Sequence, residues 1–258
     1  MLQSLRPRLS RILAPLIDAD ALPEPIQTID LNGVPARLFV PGAWPKRRAD
    51  TALTKDPEML RWLDQIGPDD VLWDIGANVG IYSLYGALKC KCRVYAFEPG
   101  AGNYYVLNRN IELNAAQDRV SALCVAVAEK SEIDILNMKW TEPGSSLSTF
   151  GVPIGPRGKR FAPAFKQGMV SFSMDDLATR LPAPTHIKID VDGIELSILA
   201  GGTTMMKSET LRSVIVELDP KRPRLLAEAK KMLEPLGLRF SHSYEPQWEH
   251  IFVRAPAG

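Results

Sequence analysis

Apolar residues fall into short blocks along most of this chain. Val71–Ile75, Arg93–Phe97, Val120–Ala128, His186–Ile189, Val214–Leu218 and His250–Arg254 are compact runs rich in β-branched and aromatic residues, and each predicts a strand. Between them, residues 79–89, 101–114, 192–201 and 221–236 predict helices. Unbroken apolar runs suit strands covered on both faces, so the alternation predicts an α/β fold with a mainly parallel, doubly wound sheet. Upstream, residues 56–66 predict a further helix with Asp56 as N-cap, Pro57 in its first turn and Gly67 as its stop. Ile26–Leu31 and Val34–Val40 flank Asn32-Gly33, a strong hairpin signal.

Nearer the start, Leu2, Leu5, Leu9, Ile12, Leu13, Leu16 and Ile17 recur at helical spacing with Arg6, Arg8 and Arg11 between them. A basic amphipathic helix can lie on a membrane surface. Apolar helix stripes more often face a core or a partner subunit, and that reading is favoured here. A peripheral membrane contact and a homodimer both stay open. The division expected is an N-terminal appendage of helix and hairpin over 1–55, then a main domain over 56–258.

Residues 130–185 break the alternation with Pro143-Gly144, Ser145-Ser146, Pro153, Pro156, Pro163 and several basic residues. So long an interruption is commonly functional, and a substrate loop is expected there. A disordered insertion is the alternative, against which its hydrophobic content stands.

Composition narrows the class. The 258 residues are 45% apolar and 24% charged, enough for one sizeable core. Lys and Arg number 31 against 30 Asp and Glu, so no global charge signals a nucleic-acid partner, and none is expected. Cys90, Cys92 and Cys124 make no disulfide framework. Cys90 and Cys92 lack the further ligands of a metal site and read as ordinary thiols in a reducing compartment. No apolar run reaches the roughly 18 residues of a membrane span, and no cleavage site marks a secretory signal. A cytoplasmic protein is expected.

The chemistry gathers at Asp74-Ile75-Gly76-Ala77-Asn78-Val79-Gly80, between a predicted strand and a predicted helix. Gly76 permits a tight turn and Gly80 a close approach of helix to strand. Free N–H groups at the helix start favour a polar or anionic ligand group. A dinucleotide site has glycine where Asn78 stands, which disfavours a pyrophosphate and a nicotinamide-dependent oxidoreductase. Asp74 is placed to receive a cationic group or to cap the turn. Glu98 follows the second strand about 20 residues on, where a carboxylate accepts ribose hydroxyls. Together these point to a Rossmann-like domain with an adenosine-bearing cofactor that carries positive charge, as S-adenosylmethionine does.

DIGANVG at 74–80, FEP at 97–99, the helix with Asn103, Asn108, Asn110 and Asn114, AVAE at 126–129 and KIDVDGIE at 188–195 occur in order and resemble the FkbM-type methyltransferases over about residues 68–220. The resemblance implies a class I methyltransferase fold binding S-adenosylmethionine. It places Asp74, Gly76, Ala77, Asn78 and Gly80 around the methionine part, Glu98 with Pro99 and Asn103 by the ribose, Val127 and Ala128 near adenine, and Asp190 facing the methyl group. Asp192 stands where the family usually has Glu, and Ile194 where a small or aromatic residue is common. An O-methyltransferase acting on a hydroxyl of a saccharide, glycoconjugate or natural product is implied. A lipid-linked glycan, amine or peptide acceptor, and a binding module without catalysis, remain alternatives.

A hydroxyl is a weak nucleophile, so a base or a metal is expected. Asp190 is the leading catalytic candidate. Lys188 shares its strand face, as catalytic partner or as half of a buried ion pair, and Glu217 is a base or a supporting group. Asp190, Asp192, Glu217 and Asp219 carry oxygen ligands that suit Mg²⁺, though no metal site is assigned. His242, expected in a loop, and His250, expected to be structural, are other titrating groups. On the acceptor side, Gly144, Ser145 and Ser146 suggest a closing turn, Arg157, Lys159, Arg160 and Lys166 an anion contact or a solvated basic loop, and Trp140 and Phe150 a sugar-stacking surface or pins for the loop.

Overall fold

The computed structural model describes residues 24–243 and 248–254; the amphipathic stretch around Leu2–Ile17 lies outside the described residues. Strands β1 (Ile26–Asp30) and β2 (Pro35–Phe39) form the expected hairpin, with Asn32 and Gly33 both at positive φ (52° and 90°). Helix α1 (Ala43–Asp50) follows, then α2 (Pro57–Leu63). Asp56 precedes α2 but makes no capping bond. Its carboxylate instead accepts the Tyr82 hydroxyl at 2.5 Å and Lys55 Nζ at 2.7 Å.

The repeating unit comes next: β3 (Val71–Ile75), α3 (Ile81–Leu84, carried on to Cys90 as a π-helical turn), β4 (Arg93–Phe97), α4 (Ala101–Leu113) and β5 (Val120–Leu123). The expected third strand over Val120–Ala128 is split. β5 stops with its neighbour, the amide of Glu98 taking the Leu123 carbonyl, and the chain leaves the sheet. β6 (Ala126–Val127), β7 (Ile133–Met138), β8 (Ser148–Phe150) and β9 (Phe165–Phe172) then make a small separate sheet in the order β6-β9-β7-β8. It has its own core of Ala126, Leu136, Met138, Phe150 and Met169. The interruption at 130–185 is thus an ordered second sheet rather than a disordered insertion.

After α5 (Met174–Ala178) the main sheet resumes with β10 (His186–Ile189), α6 (Glu195–Ala200), β11 (Ser213–Glu217), α7 (Pro223–Leu233), β12 (Leu238–Ser243) and β13 (Glu249–Arg254). His242 lies in β12, not in a loop; the Gly237 turn (φ 85°) sends the chain back to pair with β13, and its imidazole contacts the Ser241 hydroxyl at 2.8 Å. The sheet order is β12-β13-β11-β10-β3-β4-β5, parallel from β11 to β5, with β13 reversed.

Alternate residues of these strands face opposite sides, and both sides are filled. Trp73, Ile75, Ile187, Ile189, Val214 and Val216 meet α5, α6 and α7 on one face. Leu72, Val94, Ala96 and Val120 meet α2, α3 and α4 on the other. Leu31, Ala36 and Leu38 of the hairpin join that second core. Its edge is satisfied by α4: Asn110 Oδ1 accepts from Phe39 N at 2.7 Å and Asn114 Oδ1 from Arg37 N at 2.8 Å. From β3 the chain steps outward through β4 and β5, and from β10 it steps the other way through β11. The reversal leaves a crevice above the carboxyl ends of β3 and β10.

Candidate active site

The turn after β3 builds one wall of that crevice. Gly76 has φ 81°, and a Cβ on it would stand 2.0 Å from the carbonyl oxygen of Asp190. Only glycine lets the tips of β3 and β10 touch there. Asn78 is left-handed at φ 52°. Its N–H donates to Glu98 Oε2 at 2.8 Å, while Gly100 N–H and Asn103 Nδ2 donate to Glu98 Oε1 at 2.8 and 3.2 Å. Burial lifts the Glu98 carboxyl to about 7 against the pull of these three bonds. Asn78 Nδ2 donates to Ser145 O at 2.9 Å, but its Oδ1 is buried with no partner. Gly76, Asn78, Glu98, Pro99 and Asn103 line one side of the cavity; Asp190, Asp192, Glu195, Glu217 and Asp219 line the other.

Five of the expected cofactor residues lie elsewhere. Asp74 is 1% exposed, and its carboxylate is taken by Lys188 Nζ at 2.8 Å and Ser83 Oγ at 2.5 Å. The cation it receives is therefore a side chain of the protein. Asp74 and Lys188 are register partners on neighbouring parallel strands, so both carry their side chains to the same face. Lys188, also 1% exposed, has an additional bond to Gly76 O at 3.1 Å. Burial works against its charge, yet Asp74 and Asp190 outweigh that and keep it protonated. Held beneath the loop, it bonds Gly76 and does not line the cavity. Gly80 (φ 87°) serves packing, since a Cβ there would come 2.4 Å from Leu107 Cδ1. Ala77 is buried in the core on the α3 face, Val127 in the core on the opposite face of the main sheet, and Ala128 in the small-sheet core.

At the tips of β10 and β11, Asp190 and Glu217 share a hydrogen bond. Burial, then the charge of Asp190 and this bond, raise Glu217 well above the usual carboxyl range. Burial also presses on Asp190, but Lys188 and the bond from Glu217 outweigh it and hold Asp190 ionised. The pair is thus one carboxylate and one carboxylic acid that donates to it. Asp190 Oδ2 stands 3.8 Å from Lys188 Nζ. Burial raises Glu195 to about 8, and burial with the charge of Asp190 raises Asp192 to about 6.

Asp192 closes the roof. Its Oδ2 accepts the N–H groups of Leu147 and Ser148 at 2.5 and 2.9 Å. Gly144 N donates to Asn103 Oδ1 at 2.7 Å, so the 144–148 turn is docked at both ends and Ser145, Ser146 and Ser148 line the cavity. Two cations that the sequence reading missed enter from the N-terminal segment. Arg48 of α1 donates through Nε to Gly144 O at 2.6 Å, and Lys55 lies beside Asp56; both line the cavity. The only local signal was the basic run Lys46–Arg48, which reads as a solvated face. Arg157, Lys159, Arg160 and Lys166 are exposed and outside the cavity, Trp140 is 46% exposed, and Phe150 is buried in the small-sheet core. His250 is buried in β13 against Ser243 Oγ at 2.6 Å. Among the described residues, no group of three His, Cys, Asp or Glu side chains is arranged to hold a metal ion.

Residues 74–244 match the family model described as a methyltransferase FkbM domain. The hexuronic acid methyltransferase AglP of Haloferax volcanii is 29% identical over 180 residues, 67% of each chain. The methyltransferase sdnD of Sordaria araneosa is 30% identical over 188 residues, 64% of this chain and 71% of that one. Among solved structures, the methyltransferase FkbM from Methylobacillus flagellatus KT superposes with a TM-score of 0.50 at 18% identity, covering 73% of this chain and 44% of that one. The present chain thus spans less than half of that protein, and the likeness speaks for the fold.

Proposed function

The chain belongs to the FkbM methyltransferase family, with the class I methyltransferase fold, and from that premise we propose that it transfers a methyl group from S-adenosylmethionine to a hydroxyl of a saccharide or related natural product. The observation that carries this reading is the two-sided cavity: an orphaned Asn78 Oδ1 and the Glu98 carboxyl on one wall, the Asp190–Glu217 pair on the other. The first wall fits the cofactor. A buried, unpartnered oxygen suits an ammonium donor, and a carboxyl ringed by donors suits ribose hydroxyls. Asn78, Gly76, Glu98 and Asn103 would hold it, and when bound it supplies an electrophilic methyl group.

The residues of the second wall do the rest. Asp190, kept ionised, accepts the hydrogen bond of the acceptor hydroxyl and takes its proton as the oxygen bonds carbon. So acidic a carboxylate is a weak base, so its main contribution is orientation. Glu217 donates to Asp190 and fixes its free lone pairs toward the cavity. Asp192 and Asn103 pin the 144–148 turn over the site and exclude water. AglP, by its name, acts on a hexuronic acid, so sugar acids head the acceptor list. The test is transfer of a labelled methyl group to uronic acids, neutral sugars, amines and peptides. Base-stable label on a sugar hydroxyl is expected. Label released by mild base, as from a methyl ester, or label on nitrogen would overturn the reading.

A further inference from the structure

Beside the cavity mouth the structure gathers six cations that the reaction above does not use. Residues 154–160 form a tight hairpin, bridged between Ile154 and Arg160 and closed by Gly155 N to Lys159 O at 3.0 Å. It is seated on the turn between β10 and α6: a Cβ on Gly193 (φ 110°) would come 2.9 Å from the Gly155 carbonyl carbon. Its tip leans on the start of α7, where Arg222 Nη1 donates to Pro156 O at 2.7 Å and the guanidinium carbon would stand 3.2 Å from a Cβ on Gly158. The segment that carries Arg157, Lys159 and Arg160 is thereby docked, through Arg222, on the one that carries Lys221 and Arg224. Pro156, Asp219 and Leu225, next to these cations in both segments, line the cavity itself.

The two carboxylates that flank the second segment are engaged elsewhere: Asp219 is buried and accepts the Lys221 backbone N–H at 2.9 Å, and Glu228 pairs with Lys231 at 3.1 Å. Residues 151–170 and 220–227 contain no Asp or Glu, and none of the six cations forms an ion pair among the described residues. Five of the six are exposed, and Arg222 is half-buried. Over the whole chain Lys and Arg exceed Asp and Glu by one, so this local excess is not the overflow of a basic protein. Exposed cations of one sign repel one another unless an anion joins them. The guanidinium forks of Arg157, Arg160, Arg222 and Arg224 match phosphate oxygens in geometry, and the N-terminus of α7 adds its positive end. A single carboxylate would neutralise one charge of six; a diphosphate neutralises two to three.

Resting on the methyltransferase reading, we propose that the acceptor is a phosphorylated glycoside whose diphosphate is held by this rim while its sugar enters the cavity toward Asp190. Two sources share that chemistry, a soluble nucleoside diphosphate sugar and a lipid-linked diphosphate sugar at a membrane surface.

The test is calorimetric titration of the full chain and of a Lys159→Glu, Arg224→Glu variant with inorganic pyrophosphate, then with uridine diphosphate, with thermal melting as the folding control. Pyrophosphate should bind the wild type, weaken steeply from about 50 to about 200 mM salt and lose at least about tenfold in the variant. Tighter binding of uridine diphosphate than of pyrophosphate supports the soluble source. Co-sedimentation with phosphatidylcholine–phosphatidylglycerol vesicles, lost in the variant, supports the lipid source. No pyrophosphate binding by the wild type, equal binding by a folded variant, or a salt-sensitive RNA shift without pyrophosphate binding would overturn the proposal. S-adenosylhomocysteine titrated in parallel keeps the two readings apart: its failure strikes the cofactor site, and pyrophosphate failure strikes the rim alone.

Discussion

Lys188→Met removes the ammonium from a pair in which both side chains are 1% exposed and 2.8 Å apart. The methionine fills similar volume, so the effect isolates the charge. A buried carboxylate stripped of its partner costs about 3–5 kcal/mol. Asp74 keeps the Ser83 hydroxyl at 2.5 Å, which offsets about 1 kcal/mol. The net loss expected is about 2–4 kcal/mol, and at about 2–4 °C per kcal/mol for a domain of this size Tm should fall by about 4–16 °C. Adding Asp74→Asn removes the orphaned charge, so the double variant should be more stable than Lys188→Met alone, with a coupling of about 2 kcal/mol. Urea unfolding followed by circular dichroism reads each value. A loss under about 1 kcal/mol for Lys188→Met, or strictly additive single effects, would refute the claim that this pair holds the site's floor rather than performing chemistry.

Glu195 gives a pH signature. Its folded pKa, raised by burial from 4.5 to about 8, means that the folded state holds a proton the unfolded chain releases, so stability falls as pH rises through that window. Glu195→Gln should flatten the decline of Tm between about pH 5 and pH 8.5, with Glu98 and Glu249, both raised to about 7, leaving a residual slope; an unchanged slope would show that Glu195 does not carry the proton. At the reacting wall, Asp190→Asn should lower kcat/KM by at least about 10²-fold, whereas Glu217→Gln, whose amide still donates to Asp190, should lose less than about tenfold. Equal losses in the two variants, measured with the same acceptor, would remove Glu217 from its supporting role.

The central strands were legible because they are buried on both faces and read as unbroken apolar runs. Val71–Ile75, Arg93–Phe97 and His186–Ile189 have the bounds expected for them. The small sheet was hidden because its strands carry apolar residues on both faces while one face meets solvent: Ile133, Phe165 and Val170 are 82%, 52% and 42% exposed. Alternation, the usual mark of a half-covered strand, is therefore blurred. Helix α1 was hidden by Pro45 and by the lack of an apolar stripe in AWPKRRAD, and with it the arrival of Arg48 in the cavity. Position along the chain also misled at Asp74. A carboxylate at a strand tip looks exposed to ligand, but the register of β3 against β10 sets Lys188 beside it, and pairing across strands is a long-range fact. Asn78, two residues beyond Gly76 in the turn after β3, and Glu98 and Asp190, the first residues after β4 and β10, were legible as cavity-lining candidates because the ends of parallel strands border the crevice.

The most direct test of the account is calorimetric titration of the full chain with S-adenosylhomocysteine, beside Asn78→Ala and Glu98→Ala variants and an NAD control. The account predicts micromolar binding to the wild type, at least about tenfold weaker binding in each variant, and none for NAD, since each variant removes a polar contact of about 1.5–3 kcal/mol. A folded wild type that ignores S-adenosylhomocysteine, or variants that bind it as tightly, would contradict the assignment of this cavity to the cofactor.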